Sequence, residues 1–420
     1  MENIFKSTSN KIINNRLQTK EWEKVKHAEF GTPYILRQDM LNLVPKSFWK
    51  NPKHKILEPS VGKGGFIIDV IQLLMNGLKD KISGDKKRYK HIVENMIYFV
   101  DINRGNLKKL KKLLDPEGNY KVNGYVGDAI AKVDLCKIFD VKGFNLVVGN
   151  PPYNISGKVG TGNTIYQFFI RKALEEWILK GGYLLFVTPP AWRKPVTESS
   201  INAGLWDLMT KDNWLRYLEI HNAKNGKRMF KAGTRYDFYL VQRVKPKKTV
   251  VLDELGEKHK IDMEDFPWLP NYDFRFIRKL IAKGKEPKVD ILFGLGYYSQ
   301  REHMSDKKDR KHPFVCIHST PKKGIRYVYS SNDKRGHFGI PKVIFGDSGP
   351  YEAVINREGK YCMSEHAMGI VDKKSNLSKI LEAMKSERMR RVLGATLWSS
   401  FQIDWRMFRY FKKDFYKYFI

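Results

Sequence analysis

The tetrapeptide Asn150-Pro151-Pro152-Tyr153, directly after the apolar run FNLVVG, has residue types that could carry out chemistry. Proline lacks an amide hydrogen and restricts the residue before it, so the segment predicts a stiff loop rich in acceptors. The Asn150 side-chain oxygen and the Pro151 carbonyl could both accept from one aromatic amino group and make its nitrogen more nucleophilic. Tyr153 could stack on the ring that carries the amine. A Pro-Pro turn that only closes a strand is the structural alternative.

Acidic residues follow three other strand-like runs, at Glu58, Asp101 and Asp128. Gly62 and Gly64 come shortly after the first of these, where they would let the backbone approach a ligand beside a helix N-terminus. The spacing is not that of a dinucleotide loop, and a glutamate suits a positive amino group better than a pyrophosphate. The second carboxylate could bind a ribose diol, and the third could accept from an adenine amino group. Each alone is typical of a cap or turn, but together they favour a ligand site.

The first half of the chain alternates apolar runs with amphipathic stretches, which predicts an α/β fold. The sequence therefore predicts a doubly wound, mostly parallel sheet of seven strands, with ligands at the carboxyl ends of the strands. The strand-like runs lie at 54–60, 95–103, 120–129, 144–150, 181–190, 214–222 and 236–244.

After the Lys-rich segment 241–250 this alternation becomes irregular. We therefore expect one domain over residues 1–247 and a second, α+β domain over residues 248–420. Arg301 lies in a segment with two tyrosines (291–303) that is either a DNA-contacting loop or a surface hairpin. The segment 396–419 spaces its aromatic residues by three and four, as on one helical face, so packing is expected of them. Its basic residues would remain available for phosphates, among them Arg406, Arg409, Lys412 and Lys413.

The charge balance indicates a polyanionic partner. Lys and Arg number 77 against 45 Asp and Glu, a formal net charge of +32. Such a field attracts nucleic acid and supplies salt-dependent affinity. A basic, well-solvated surface is the alternative.

The cysteines, the histidines and the apolar segments predict a protein without a disulfide, a metal centre or a membrane span. The three cysteines lie far apart without a CxxC motif, so neither a disulfide nor a zinc site is expected. His303, His312, His318, His337 and His366 show no tight ligand spacing, which predicts no metal centre. The first residues lack a signal-peptide core, and no apolar run has the length of a membrane span. We expect a soluble, intracellular protein without membrane association.

In this order, the segments LEPSVGKGGF (57–66), VDIN (100–103), GDAI (127–130) and NPPY (150–153) resemble those of the DNA amino-methyltransferases. The resemblance covers residues 28–244 and is to the class in which cofactor motifs precede NPPY and a target-recognition domain closes the chain. It implies a Rossmann-like, S-adenosylmethionine-dependent enzyme of the type II restriction-modification kind. The implied reaction methylates adenine N6 in double-stranded DNA, without a metal.

The same resemblance implies roles for individual residues. Asn150, Pro151, Pro152 and Tyr153 would hold the adenine, and either Tyr236 or Phe238 would stack on it. A basic insertion at 77–91 lengthens the spacing before Asp101 and makes that assignment less secure. The residues expected to contact S-adenosylmethionine are Thr32, Glu58, Pro59, Gly62, Gly64, Phe66, Asp101, Ile102 and Asp128.

Other functions share some of these features. A cytosine-N4 DNA methyltransferase or an RNA adenine methyltransferase presents the same amino-group problem. A protein glutamine-N5 methyltransferase has a similar loop, and a catalytically silent nucleic-acid-binding protein would share the charge. The charge and the long C-terminal half favour DNA. We further expect a monomer and, as a candidate partner, a separately encoded restriction endonuclease.

Overall fold

A computed structural model describes residues 31–155, 163–293, 301–334, 337–399 and 402–420. The chain divides into two compact units. The first runs to Trp192 and resumes over Glu198–Glu264, and the second comprises Arg193–Thr197 and Asp265–Ile420. No helix in the described ranges combines the length and apolar character that a membrane crossing requires.

A nine-stranded sheet forms the centre of the first unit, in the order β3-β2-β1-β4-β5-β7-β6-β8-β9. The five strands from β3 to β5 are parallel, whereas β7 lies antiparallel between β5 and β6. The strands are β1 Ile56–Glu58, β2 Ile97–Asp101, β3 Gly124–Val126, β4 Phe144–Gly149, β5 Ile178–Thr188, β6 Trp214–His221, β7 Tyr236–Gln242, β8 Thr249–Leu252 and β9 Lys258–Ile261.

The α/β class is confirmed, but the sheet is mixed and has nine strands where the sequence predicted seven. The two additional strands form a hairpin, and β8 pairs parallel to β6. Pairing at this edge satisfies backbone groups that β6 would otherwise leave exposed. The first unit therefore continues to Glu264. It ends after the boundary at residue 247 that composition suggested.

The helices of the first unit pack apolar faces onto this sheet. The second helix contributes Ile67, Val70, Ile71 and Leu74 to one core cluster with Leu146 of β4. The basic insertion includes a helix of its own (Asp85–Asn95), whose buried apolar side chains belong to the same core cluster. The helices are α1 Tyr34–Leu41, α2 Gly65–Gly77, α3 Asp85–Asn95, α4 Arg104–Leu114, α5 Leu135–Ile138, α6 Tyr166–Lys172, α7 Leu205–Thr210 and α8 Ala223–Phe230.

The second unit combines helices with two four-stranded sheets, in the orders β10-β17-β14-β15 and β11-β13-β12-β16. Its strands are β10 Asp290–Phe293, β11 Met304–Ser305, β12 Phe314–Ser319, β13 Arg326–Ser330, β14 Lys342–Gly346, β15 Gly349–Asn356, β16 Cys362–Met363 and β17 Ala367–Val371. Its helices are α9 Phe274–Leu280, α10 Leu377–Lys385 and α11 Glu387–Ala395.

The aromatic C-terminal segment is not one helix, so this prediction is wrong. It contains two short 3-10 helices, Trp405–Tyr410 and Phe415–Tyr418. Between them the amides of Lys412 and Lys413 donate to carbonyls of Leu280 and Pro287, which competes with helix continuation. The expected packing is nevertheless present. Trp398, Trp405, Phe408, Phe411 and Phe415 are buried, and Phe401 lies outside the described residues.

A disulfide joins Cys316 and Cys362, contrary to the expectation from the sequence. The two cysteines are 46 residues apart in the chain but face each other on the parallel neighbours β12 and β16. Sequence spacing carries no information about this pairing, because the register of two strands creates it.

Candidate active site

The first unit contains a cavity of about 520 Å³ at the carboxyl ends of its parallel strands. Glu58 ends β1 and Asp101 ends β2, while segments 127–130 and 150–155 follow β3 and β4. Parallel strands direct their carboxyl ends to one edge of a sheet, so residues far apart in sequence meet there.

The residues predicted to bind the cofactor or to hold the amine nearly all line this cavity. Gly64 does not, although it is essential to the turn beside it. The wall includes Thr32, Glu58, Pro59, Gly62, Phe66, Asp101, Ile102, Asp128, Asn150, Pro151, Pro152 and Tyr153.

Glu58 is a buried carboxyl group on the cavity wall, with 3% of its surface exposed. Burial raises its pKa well above the usual range, and the nearby Arg37 guanidinium and the Ile67 amide partly oppose this rise. Its Oε2 atom has no hydrogen-bond partner among the described residues. A cationic group in the cavity would satisfy this oxygen and favour the ionised form.

Asp101 and Asp128 hold the loops around the cavity. Asp101 Oδ2 accepts from the amide of Gly62 at 2.7 Å, and its Oδ1 accepts from that of Asn103 at 2.6 Å. Asp128 Oδ1 accepts from the amide of Ile130 at 2.9 Å. These bonds fix the Gly-rich turn and two strand ends relative to one another before any ligand binds.

The loop after β4 is braced on both sides. The Ser60 hydroxyl donates to the Asn150 carbonyl at 3.4 Å, and the Ile165 amide donates to the Tyr153 carbonyl at 2.9 Å. The side-chain oxygen of Asn150 and the hydroxyl of Tyr153 are buried. Burial raises the pKa of Tyr153, so its phenol is neutral in ordinary buffers. The loop thus presents oriented acceptors and a neutral ring.

Arg37 and Phe169 also line the cavity, and sequence reasoning missed both. Arg37 is buried, and its Nε donates to Asp69 Oδ2 at 2.6 Å while its Nη1 donates to the Thr32 carbonyl at 2.6 Å. The sequence contained a signal for the Arg37–Asp69 pair. Each of the two charged residues lies in an apolar helical stretch, and a buried charge requires a partner.

The two aromatic residues proposed to stack on a target base lie elsewhere. Tyr236 and Phe238 are buried in β7, at 0% and 1% exposure, and belong to the sheet core. Tyr236 stacks on His221 with ring centroids 4.4 Å apart. In the part of the chain that the structure describes, the aromatic residues lining the cavity are Phe66, Tyr153 and Phe169, and neither Tyr236 nor Phe238 is among them.

The basic residues proposed to contact DNA all lie in the second unit and differ in their surroundings. Arg301 is exposed, and the preceding residues 294–300 lie outside the described residues. Arg406 donates to both carboxylate oxygens of Asp404, at 2.9 and 3.1 Å. Arg409 is exposed with its guanidinium over the Trp405 ring. Lys412 donates to the Tyr418 hydroxyl at 3.3 Å, and Lys413 is exposed.

This combination defines a class of protein. A parallel α/β sheet whose first three strand ends carry acidic residues and whose fourth carries Asn-Pro-Pro-Tyr has the arrangement that the sequence resemblance implied for an amino-methyltransferase. Comparison with known proteins leads to the same class. Residues 61–225 match the family model of the Eco57I restriction-modification methylase.

A protein of similar sequence supports the resemblance to amino-methyltransferases. The chain is 23% identical over 314 residues to a protein of Mycoplasma pneumoniae named an uncharacterized adenine-specific methylase. The match covers 57% of this chain and 72% of the relative. The resemblance to adenine-specific DNA methyltransferases of restriction-modification systems is thereby confirmed.

A solved structure shows similarity of fold. The type IIL restriction-modification enzyme MmeI, solved in complex with DNA, matches with a TM-score of 0.57 at 10% identity, over 95% of this chain and 70% of that one. A modification subunit of a putative type I restriction enzyme from Vibrio vulnificus matches at 14% identity and a TM-score of 0.42, over 59% of this chain. The match spans about half of the subunit's length, 51%.

Proposed function

We propose that the protein transfers a methyl group from S-adenosylmethionine to N6 of adenine in double-stranded DNA. One observation carries the proposal. The acidic strand ends and the Asn150–Tyr153 loop line the same cavity, so a cofactor and an aromatic amine could meet there.

The residues of the cavity fit S-adenosylmethionine. Glu58 offers a buried oxygen that has no partner among the described residues, which suits the positive amino group of the cofactor. Asp101 and Asp128 would accept from the ribose and the adenine amino group, beside the exposed side chain of Ile102. When bound, the cofactor supplies an electrophilic methyl group on a sulfonium.

The chain itself would orient the target. The Asn150 side-chain oxygen and the Pro151 carbonyl would accept the two amino hydrogens and hold the nitrogen toward the methyl donor. Because the braced loop holds these oxygens in place before the reaction, little reorganisation is needed. The neutral ring of Tyr153 would pack against the base.

The two units would divide the work. We assign catalysis to the first unit, whose sheet is a seven-stranded methyltransferase core extended by the β8–β9 hairpin, and target recognition to the second. A base inside a duplex has to leave the stack to reach an enclosed cavity, which requires contacts to the flanking DNA. The net charge of +32 would supply phosphate affinity. A monomeric state and a separate endonuclease partner remain predictions.

Transfer of a labelled methyl group to duplex DNA, RNA and protein in parallel tests this function. We expect label in DNA, recovered as N6-methyladenine after digestion to nucleosides. Asn150→Ala should lower kcat by about 100- to 1000-fold, the usual cost of removing one oriented polar contact, and leave the Kd for S-adenosylmethionine unchanged. Label as N4-methylcytosine would correct the target base. Label only in RNA or protein, or equal label from the variant, would refute the proposal.

A further inference from the structure

Two histidines and a glutamate meet on the surface of the second unit. His318 lies in β12, and Glu365 and His366 lie between β16 and β17. One ring nitrogen of each histidine and one carboxylate oxygen of Glu365 lie within 4.8 Å of one another. His318 is buried, Glu365 is partly buried and His366 is the most open of the three, so the cluster faces solvent on one side.

Neighbouring side chains orient both imidazoles. Asp347 Oδ2 lies 2.9 Å from Nδ1 of His366, and the Ser364 hydroxyl lies 2.7 Å from Nδ1 of His318. A carboxylate on one ring nitrogen fixes the tautomer and leaves the lone pair on the other, as in many metal-bound histidines.

The backbone around the cluster is held firmly. The Ser364 amide donates to the Ile317 carbonyl at 3.0 Å, and the Asp347 amide donates to the His366 carbonyl at 3.0 Å. The Cys316–Cys362 disulfide ties β12 to β16 two residues before His318 and Ser364. Three segments of the unit are therefore fixed around the three side chains, and little ordering would be required on binding.

We propose that His318, Glu365 and His366 bind a divalent transition-metal ion, with zinc as the expected occupant. Two imidazoles and a carboxylate are ligands that zinc accepts, and a water would complete a tetrahedral set from the open side. Arg326 and Asp306 are charged groups that also face His318, and their charges oppose each other. The ion would clamp the β16–β17 loop to β12. This site is independent of the methyl transfer proposed above.

Metal binding to the full chain, prepared without a histidine tag and treated with chelator, tests the site. Titration with zinc chloride alone should show one tight equivalent by calorimetry and by elemental analysis after desalting. Zinc should also raise the Tm, because a ligand that binds only the folded state stabilises it. His366→Ala and Glu365→Gln should lose both effects.

His312→Ala is a matched control, since His312 is likewise paired to a carboxylate, with Nδ1 3.0 Å from Asp309. This variant should retain the zinc equivalent. Cobalt substitution reads the ligands directly, and nitrogen and oxygen ligation without a thiolate charge-transfer band is expected. Failure to retain zinc, an unchanged equivalent in His366→Ala, or a thiolate band from Cys316 or Cys362 would each overturn the proposal.

Discussion

Burial and charge oppose each other at Glu58. Its carboxyl group has little access to water, so burial raises its pKa well above the usual range. Arg37, which would favour the carboxylate, is itself engaged by Asp69. The group is therefore protonated to a higher pH than an ordinary glutamate, and a cationic ligand would reverse this preference.

From this we predict how the affinity for S-adenosylmethionine depends on pH. The ammonium group of the ligand prefers the carboxylate form, so affinity should rise as pH rises through the raised pKa of Glu58, and fall below it. Glu58→Gln should weaken binding by about 10- to 100-fold, the cost of a lost charged hydrogen bond, and flatten the dependence. Isothermal titration across pH measures both effects.

Glu175→Gln provides the control, because this glutamate is half-exposed and its ion pair with Arg171 is long, at 3.9 Å. It should bind S-adenosylmethionine as the parent chain does. A Glu58→Gln chain with unaltered affinity and pH profile would contradict the assigned role.

The turn between β1 and α2 forms part of the cavity wall and contains a conformationally constrained glycine. Gly64 adopts φ +83°, and a Cβ atom there would lie 2.5 Å from Leu110 Cδ1 of α4. The positive φ favours glycine, and the Leu110 side chain would have to shift to admit a Cβ atom. This explains why Gly64 matters to the site without lining it.

We predict that Gly64→Ala destabilises the fold by about 2 to 5 kcal/mol, because of strain at positive φ and because of overpacking. Urea denaturation measures the loss. Gly118→Ala isolates the strain at positive φ, since Gly118 has φ +75° and open space around it. This change should lower the free energy of unfolding by about 1 to 2 kcal/mol.

A double variant that combines Gly64→Ala with Leu110→Ala isolates the overpacking. Leu110→Ala removes the atoms that the new Cβ would meet, so the double variant should be more stable than the sum of the two losses predicts. Strict additivity would show that contact with Leu110 is not responsible.

For the whole molecule, the excess of 32 positive charges predicts DNA binding that weakens steeply with salt. Each phosphate contact contributes a slope of about −0.9 to the logarithm of affinity against the logarithm of salt concentration. Pairing within the protein removes some cations from this total, as Asp404 does for Arg406.

Arg409→Ala and Arg406→Ala form a matched pair, because both guanidinium groups lie over the Trp405 ring. Fluorescence anisotropy with a DNA duplex across salt concentrations should show a slope reduced by about one for Arg409→Ala, and little change for Arg406→Ala. Equal slopes in both variants and the parent chain would exclude Arg409 as a phosphate contact.

The fold class and most of the candidate site follow from local patterns in the sequence. Glu58, Asp101, Asp128 and Asn150 follow apolar runs, and parallel strands of a wound sheet end at one edge. Residues tens of positions apart can therefore be placed together from local pattern alone. The Pro-Pro constraint is local as well, since it acts through the residue's own backbone.

Features that depend on contacts between distant segments became visible in the folded chain alone. It paired Arg37 with Asp69, added the hairpin to the edge of β6, and placed Phe169 rather than Tyr236 on the cavity wall. It also brought the two cysteines of β12 and β16 into register. Register, edge pairing and side-chain packing are set by neighbours in space, and a periodic pattern along the chain does not identify those neighbours.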